Sequence, residues 1–248
     1  MKTKAAITAA LIVGLSILHL PRAFAQGSLT PPGAPAPTMK TLDQIEARTP
    51  ISSVPFTITQ PGSYYLTANL NVSTGNAITI NANQVALDLN GFTISSAAPS
   101  ATGTAILLMP GNNSDITIFN GHIKSDVTYN GSVYSGPGFR DGIAGPFLTN
   151  LRSVRVSGVS VSGCLNFGIN VPGNNSTVVE SCTVQIVGNI GIQASVVSHS
   201  TASNCGSRGI AADSASHCSG SSVSDIGVEA LNADNCYGQS FGDRKSVV

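Results

Sequence analysis

Between Val154 and Ser240 the chain repeats itself every 18 residues, a period that few architectures accommodate. Units begin at Val154, Thr177, Ser195, Asp213 and Leu231. Their fifteenth position reads Gly168, Gly191, Gly209 and Gly227, and their sixteenth Ile169, Ile192, Ile210 and Val228. The third reads Val156, Val179, Val197, Ala215 and Ala233, and the eighteenth Val171, Ala194, Ala212 and Ala230. One insertion, Pro172 to Ser176, keeps the columns aligned. Eighteen residues are too few for a pair of helices and fall well short of the roughly 40 of a propeller blade. Small apolar residues in fixed columns therefore predict a solenoid of strands, one coil per repeat, with neighbouring coils about 4.8 Å apart. The glycine column implies a turn with positive φ or a close approach of backbones. Asn166, Asn189, Ser207 and Asp225 share the thirteenth position and predict a polar ladder at a turn.

The preceding segment carries the same logic with less regularity. Pro61-Gly62 separates Phe56-Thr57-Ile58 from Tyr64-Tyr65-Leu66, and Val85, Leu87 and Leu89 alternate with other residues up to Asn90-Gly91. Ile116 and Ile118 do the same before Asn120-Gly121. Alternation at period two with Asn-Gly breaks predicts strands with one buried side. No apolar stretch has helical spacing long enough for a crossover helix, which argues against a βα architecture. The fold expected is all-β.

Composition limits the partners. Charged residues are 10% of the chain, and 12 basic residues balance 12 acidic ones. Nucleic acid is bound through dense Lys and Arg contacts, so it is excluded as a partner class. Tryptophan is absent and aromatics are 5%, which weakens any stacking platform for sugars or bases.

The N-terminus reads as an export signal. Lys2 and Lys4 precede an apolar run from Ala5 to Leu20, and Ala23-Phe24-Ala25 supplies a small-x-small cleavage pattern before Gln26. Sixteen residues fall short of the roughly 20 that span a bilayer. Loss of Lys2, Lys4 and Arg22 with residues 1–25 leaves 9 basic against 12 acidic residues, a mature charge of −3. The expected location is secreted, periplasmic or at the cell surface, with no membrane span after cleavage. Residues 26–50 read as a Pro-rich linker followed by a short amphipathic helix on Met39, Leu42 and Ile45. That helix is either a cap over the solenoid end or a loosely docked linker. Residues 51–242 are the solenoid domain. Residues 243–248, Asp-Arg-Lys-Ser-Val-Val, match the translation of a common sequencing adapter, so a non-native tail and a truncation mid-coil are expected. Reading the gene beyond the Gly242 codon decides this.

Together, the run from Pro55 to Ile94 and the Gly-Ile coils resemble exported bacterial proteins of the right-handed parallel β-helix class, the pectate-lyase-like superfamily. The resemblance covers about residues 51–240. It implies a right-handed parallel β-helix, and the fold class expected is that solenoid preceded by the short N-terminal amphipathic helix read above as cap or linker. It does not imply one activity, because the superfamily includes lyases, hydrolases, epimerases and adhesins.

Chemical groups are sparse. A lyase would need acidic residues holding Ca²⁺ and a Lys or Arg base; a hydrolase would need two facing carboxylates. His122, Lys124 and Asp126 follow Asn120-Gly121, and Arg140-Asp141 lies in the Gly-rich stretch from Gly136 to Gly145. Insertions on a solenoid tend to line its binding face, which makes Lys124 to Gly145 the expected ligand-facing segment. Asp225 and Arg208 read as a surface ion pair, and Glu180 and Asp234 lie three coils apart, too far for paired-carboxylate work. Cys218 and Cys236 share a column in adjacent coils; Cys164 and Cys205 share one two coils apart. The first pair is spaced within disulfide range and the second is not; free stacked thiols are the favoured reading, with a Cys218–Cys236 disulfide left open. No catalytic residue is assigned and no cofactor is expected, Ca²⁺ entering only with a lyase. The leading reading is a non-catalytic polysaccharide- or surface-binding protein. A lyase or epimerase on acidic glycans is the alternative, and an adhesin-like spacer the third.

Overall fold

The computed structural model describes residues 47–109, 114–145, 151–173 and 176–242. The export signal, the Pro-rich segment, the cap helix on Met39–Ile45 and the tail from Asp243 lie outside the described residues. The described residues form 22 strands and no helix. Twenty of the strands belong to one continuous sheet, in which every pairing is parallel. The chain is a parallel β-helix.

Each coil contributes three strand segments, so the sheet has three faces. Face 1 stacks Phe56–Ile58, Ile78–Ile80, Thr104–Leu108, Asp141–Ala144 and Ile169–Val171, then the leading halves of Ile192–Ser198, Ile210–Ser216 and Val228–Asp234. Face 2 runs from Arg48–Ile51 through Gly62–Leu66 and Val85–Asp88 to the trailing halves of the last three long strands. Face 3 runs from Leu70–Val72 through Thr93–Ser96 to Tyr237–Ser240. The first strand starts at Arg48, inside the segment read from sequence as linker and helix. The Arg48 guanidinium bonds Asp88 at 3.0 Å and lies over the Tyr65 ring at 4.6 Å, which holds this strand against the next coils. Pro50 fits there, because among the described residues no strand pairs on the outer side of this one.

The repeat registers as the sequence columns predict. Val156, Val179, Val197, Ala215 and Ala233 are successive partners on face 2. On face 1, Ile78, Ile106, Ile143, Ile169, Ile192 and Ile210 form one buried stack ending at Val228. The interior also tapers. Extended toward the N-terminus, the face 2 column reads Tyr64, Leu87, Ile118, Val156, Val179, Val197, Ala215 and Ala233. The matching face 3 column shrinks from Ile94 and Ile123 through Val161, Val184 and Ala202 to Gly220 and Gly238. Smaller side chains let three faces close around fewer residues, and the coils settle at 18 residues only where the columns are narrowest.

Of the two reasons left open for the glycine column, close approach is the correct one. Gly168, Gly191, Gly209 and Gly227 do not have positive φ. A Cβ on Gly191 would lie 2.5 Å from the Gly209 carbonyl oxygen and 2.7 Å from Ala202 Cβ. Each of these glycines sits where face 1 begins, pressed against the next coil and against face 3. Positive φ recurs elsewhere, most regularly at the corner between faces 2 and 3. There Asn120, Ser181, His199, His217 and Asn235 adopt φ of 62°, 52°, 49°, 51° and 50°, and Gly158 adopts 60°. A left-handed residue turns the chain at this corner, while its amide still bonds the next coil, as in His199 N–H to Ser216 O at 3.0 Å. Asn and Gly tolerate this conformation best.

All five cysteines are free. Burial pushes the thiols of Cys164, Cys182 and Cys205 from the ordinary 9.0 to about 12, 11 and 12. A raised folded value means the neutral thiol is favoured by folding. The associated stability is complete below pH 9 and is lost as pH rises toward 11 to 12. Alkylation of the native protein at pH 8 is therefore expected to spare these three thiols, and chemical denaturation midpoints are expected to fall steadily above pH 9. Unchanged midpoints to pH 11 would contradict the burial argument. For the glycine column, Gly191→Ala is expected to lower unfolding free energy by about 1–3 kcal/mol through overpacking. Thr183→Ala, on an exposed position of face 3, is expected to stay within about 0.5 kcal/mol. Urea titration of the two variants checks both.

Candidate functional site

The outer side of face 1 holds a cleft of about 320 Å³. It spans several coils and is lined by polar residues (Asn76, Thr104, Arg140, Asp141, Asn170) and by Leu107, Ala144 and Phe167. Three consecutive positions explain why Asn170 faces it. Ile169 and Val171 belong to the core on either side, so strand alternation turns Asn170 outward. Its register neighbours are Ala144 on one coil and Gln193 on the next. The small Ala144 leaves the space that the cleft occupies.

Asp141 is the organising charge. It is 4% exposed, and its Oδ1 accepts from Asn166 Nδ2 at 3.0 Å and from the Phe167 amide at 3.2 Å. Oδ2 accepts from Arg140 Nε at 3.1 Å. Asn166 passes the interaction on, its Oδ1 accepting from Asn189 Nδ2 at 3.1 Å. This is the first half of the polar ladder predicted at the thirteenth repeat position, with Asp141 added on the preceding coil, whereas Asp225 turns to Arg208. Asn76 Oδ1 accepts from the Thr104 amide at 2.9 Å and fixes the opposite wall.

Asn170 is the exception in this satisfied network. It is 0% exposed, and among the described residues neither its Oδ1 nor its Nδ2 has a hydrogen-bond partner. An unpaired buried polar group costs about 1–3 kcal/mol. The sequence reading passed over this residue. Position seventeen of the repeat reads Asn170, Gln193, Ala211 and Glu229, an outward column with no pattern that singles one member out.

The segment expected to face a ligand reaches the cleft only at its end. Arg140, Asp141, Ala144 and Gly145 line the cleft. The rest folds elsewhere, because Thr128–Tyr129 pairs with Tyr134–Ser135 as a hairpin and Tyr134 donates its hydroxyl to the Asn204 carbonyl at 2.8 Å. The hairpin thus lies against the far end of face 3, with the Tyr134 ring against Gly206, and burial helps push the Tyr134 phenol up to about 12. His122, Lys124 and Asp126 are exposed on the outer side of that face and do not join Arg140. The pair Arg208 and Asp225 is present at 3.8 Å, and Glu229 joins it at 2.8 Å from the same guanidinium. Glu180 pairs instead with Arg155 at 2.6 Å, three coils from Asp234.

Further concavities lie among the described residues. One, also on face 1, is lined by Gln193, Arg208, Asp213 and Glu229. Another flanks the stacked rings of His199 and His217, whose centroids are 5.0 Å apart. Among the described residues no three His, Cys, Asp or Glu side chains converge as metal ligands.

Asp141→Ala is expected to lower unfolding free energy by about 3 kcal/mol, because it strands three donors at once. Arg140→Ala is expected to cost no more than about 1 kcal/mol, since that side chain is 56% exposed. Equal losses in denaturant titrations would contradict Asp141 as the organising group. No protein-family model matches this chain, and no curated protein and no solved structure matches it significantly.

Proposed function

We propose that the chain is an exported polysaccharide- or surface-binding protein, and that its ligand occupies the Asn170 cleft. We also place it with the right-handed solenoids of the pectate-lyase-like class, on the resemblance of Pro55 to Ile94 and the Gly-Ile coils. The observation that carries the binding reading is the fully buried, unpartnered Asn170 amide at the base of a polar cleft. A site that leaves hydrogen-bond capacity unused in the free protein is suited to a ligand that supplies it. Sugar hydroxyls do so, and the apolar Leu107, Ala144 and Phe167 can pack against the C–H side of a pyranose.

The same cleft argues against turnover. Among the described residues Asp141 is the one carboxylate lining it, and three hydrogen bonds already occupy that group. Glycoside hydrolysis needs two opposed carboxyl groups, one of them free to accept or deliver a proton. Uronate elimination needs a free base next to a held carboxylate, and Arg140 is tied to Asp141.

The test is titration of the full chain against a broad polysaccharide panel, with product analysis in parallel. Saturable binding without product is expected, and Asn170→Leu is expected to weaken it at least tenfold, the loss of about 1.4 kcal/mol. A calcium-dependent rise in unsaturated uronate would replace this reading with a lyase. Binding to no member of the panel would leave a spacer.

A further inference from the structure

The hairpin formed by Thr128–Tyr129 and Tyr134–Ser135 carries chemistry of its own, independent of the cleft. The sequence holds three Asn-Gly steps, Asn90-Gly91, Asn120-Gly121 and Asn130-Gly131. We propose that Asn130 is a site of self-modification, at which the native chain converts the side-chain amide to aspartate and isoaspartate through a cyclic imide. The Gly131 amide gives its proton to hydroxide, and its nitrogen attacks Asn130 Cγ. A new N–Cγ bond forms, the Cγ–Nδ2 bond breaks, and Nδ2 takes up a proton and leaves as ammonia. Water then opens the imide, giving isoaspartate by attack at the main-chain carbonyl and aspartate by attack at Cγ. The net change is amide plus water to carboxylate plus ammonium, with no oxidant or reductant.

The fold selects among the three steps through the attacking nitrogen and the leaving group. The Gly91 amide donates to the Asn120 carbonyl at 2.8 Å, and Asn90 Nδ2 donates to the Leu66 carbonyl at 3.1 Å. Gly121 is buried within the strand Ser114–Lys124, and Asn120 Nδ2 donates to Asp88 Oδ1 at 3.1 Å. At the hairpin the situation is reversed. Asn130 and Gly131 are exposed, and among the described residues neither the Gly131 amide nor Asn130 Nδ2 has a hydrogen-bond partner. The space where a Gly131 Cβ would stand is open, so base and water reach the nitrogen. The Ser132 and Val133 amides each donate to Asn130 Oδ1 at 3.0 Å. They hold the side chain over the loop and face the oxygen on which negative charge develops as the nitrogen attacks, the role of an oxyanion hole. The product adds a negative charge to the loop and, as isoaspartate, a methylene group to its main chain.

The experiment is peptide mapping by mass spectrometry of the full chain after incubation at pH 9 in heavy-oxygen water, both native and unfolded in guanidinium chloride. In the native chain Asn130 is expected to take up heavy oxygen faster than Asn90 and Asn120 by about tenfold or more. Isoaspartate is expected among the products, and the rate is expected to rise with pH. In denaturant the three steps are expected to convert at similar rates, with Asn130 no faster than in the native chain. Asn130→Gln is expected to abolish uptake at this position, because the longer side chain closes the ring far more slowly. Slower conversion of Asn130 in the native chain than in denaturant would overturn the proposal, since the loop would then restrain the side chain instead of activating it. Equal conversion of all three steps in the native chain would overturn selection by the fold. Aspartate formed without isoaspartate would overturn the imide route.

Discussion

Everything in this molecule depends on one coil bonding to the next in strict register. Each strand segment donates and accepts along the solenoid axis, so a backbone group is satisfied only if the neighbouring coil presents its partner at about 4.8 Å. That spacing also stacks side chains by column, which is why the face 1 interior is a line of isoleucines from Ile78 to Ile210. A slip of one residue would turn that line toward solvent. Register and burial therefore enforce each other, and the pairing holds through coils of unequal length because insertions are expelled at the corners.

The taper follows from the same constraint. Three faces must close around a core, and the side chains in a column decide how near the faces stand. Where the face 3 column reads Ile94, Ile123, Val161 and Val184, the interior is wide. Where it reads Ala202, Gly220 and Gly238, backbones meet. Gly191, Gly209 and Gly227 are required there because the adjacent carbonyl and face 3 occupy the volume of a side chain. The corner between faces 2 and 3 meets a separate demand, for a left-handed residue. Asn120, Gly158 and Asn235 satisfy it with the residue types that bear that conformation most cheaply, while His199 and His217 bear it with rings stacked on each other.

Against this uniform background the Asn170 cleft is a local departure. The outward column of face 1 needs no particular residue for stability, so its members differ from coil to coil. Asp141, Asn166 and Asn189 spend their hydrogen bonds on each other and stiffen the turn beside it. Asn170 is left with both functions unused, on a rigid strand rather than a mobile loop. Such an arrangement positions a donor and an acceptor in advance, and the proposed binding rests on that preorganisation.

How much of this was legible in the residues differs by level. Period and column identity determined the fold on their own: Gly168 to Gly227, Ile169 to Val228 and Val156 to Ala233 take the places that the 18-residue repeat assigns, because parallel stacking converts sequence spacing directly into spatial neighbours. The polar ladder of Asn166 and Asn189 was readable for the same reason. Long-range placement was not. That Arg140 and Asp141 close a cleft while His122, Lys124 and Asp126 face elsewhere depends on where the 125–140 insertion leaves and rejoins the coil. Its hairpin docks through Tyr134 on Asn204, a contact 70 residues distant in the chain. The empty hydrogen-bonding capacity of Asn170 depends on the neighbours that three coils bring around it. Repetition writes the architecture into the sequence, whereas an unsatisfied group exists only once every possible partner has been placed in space.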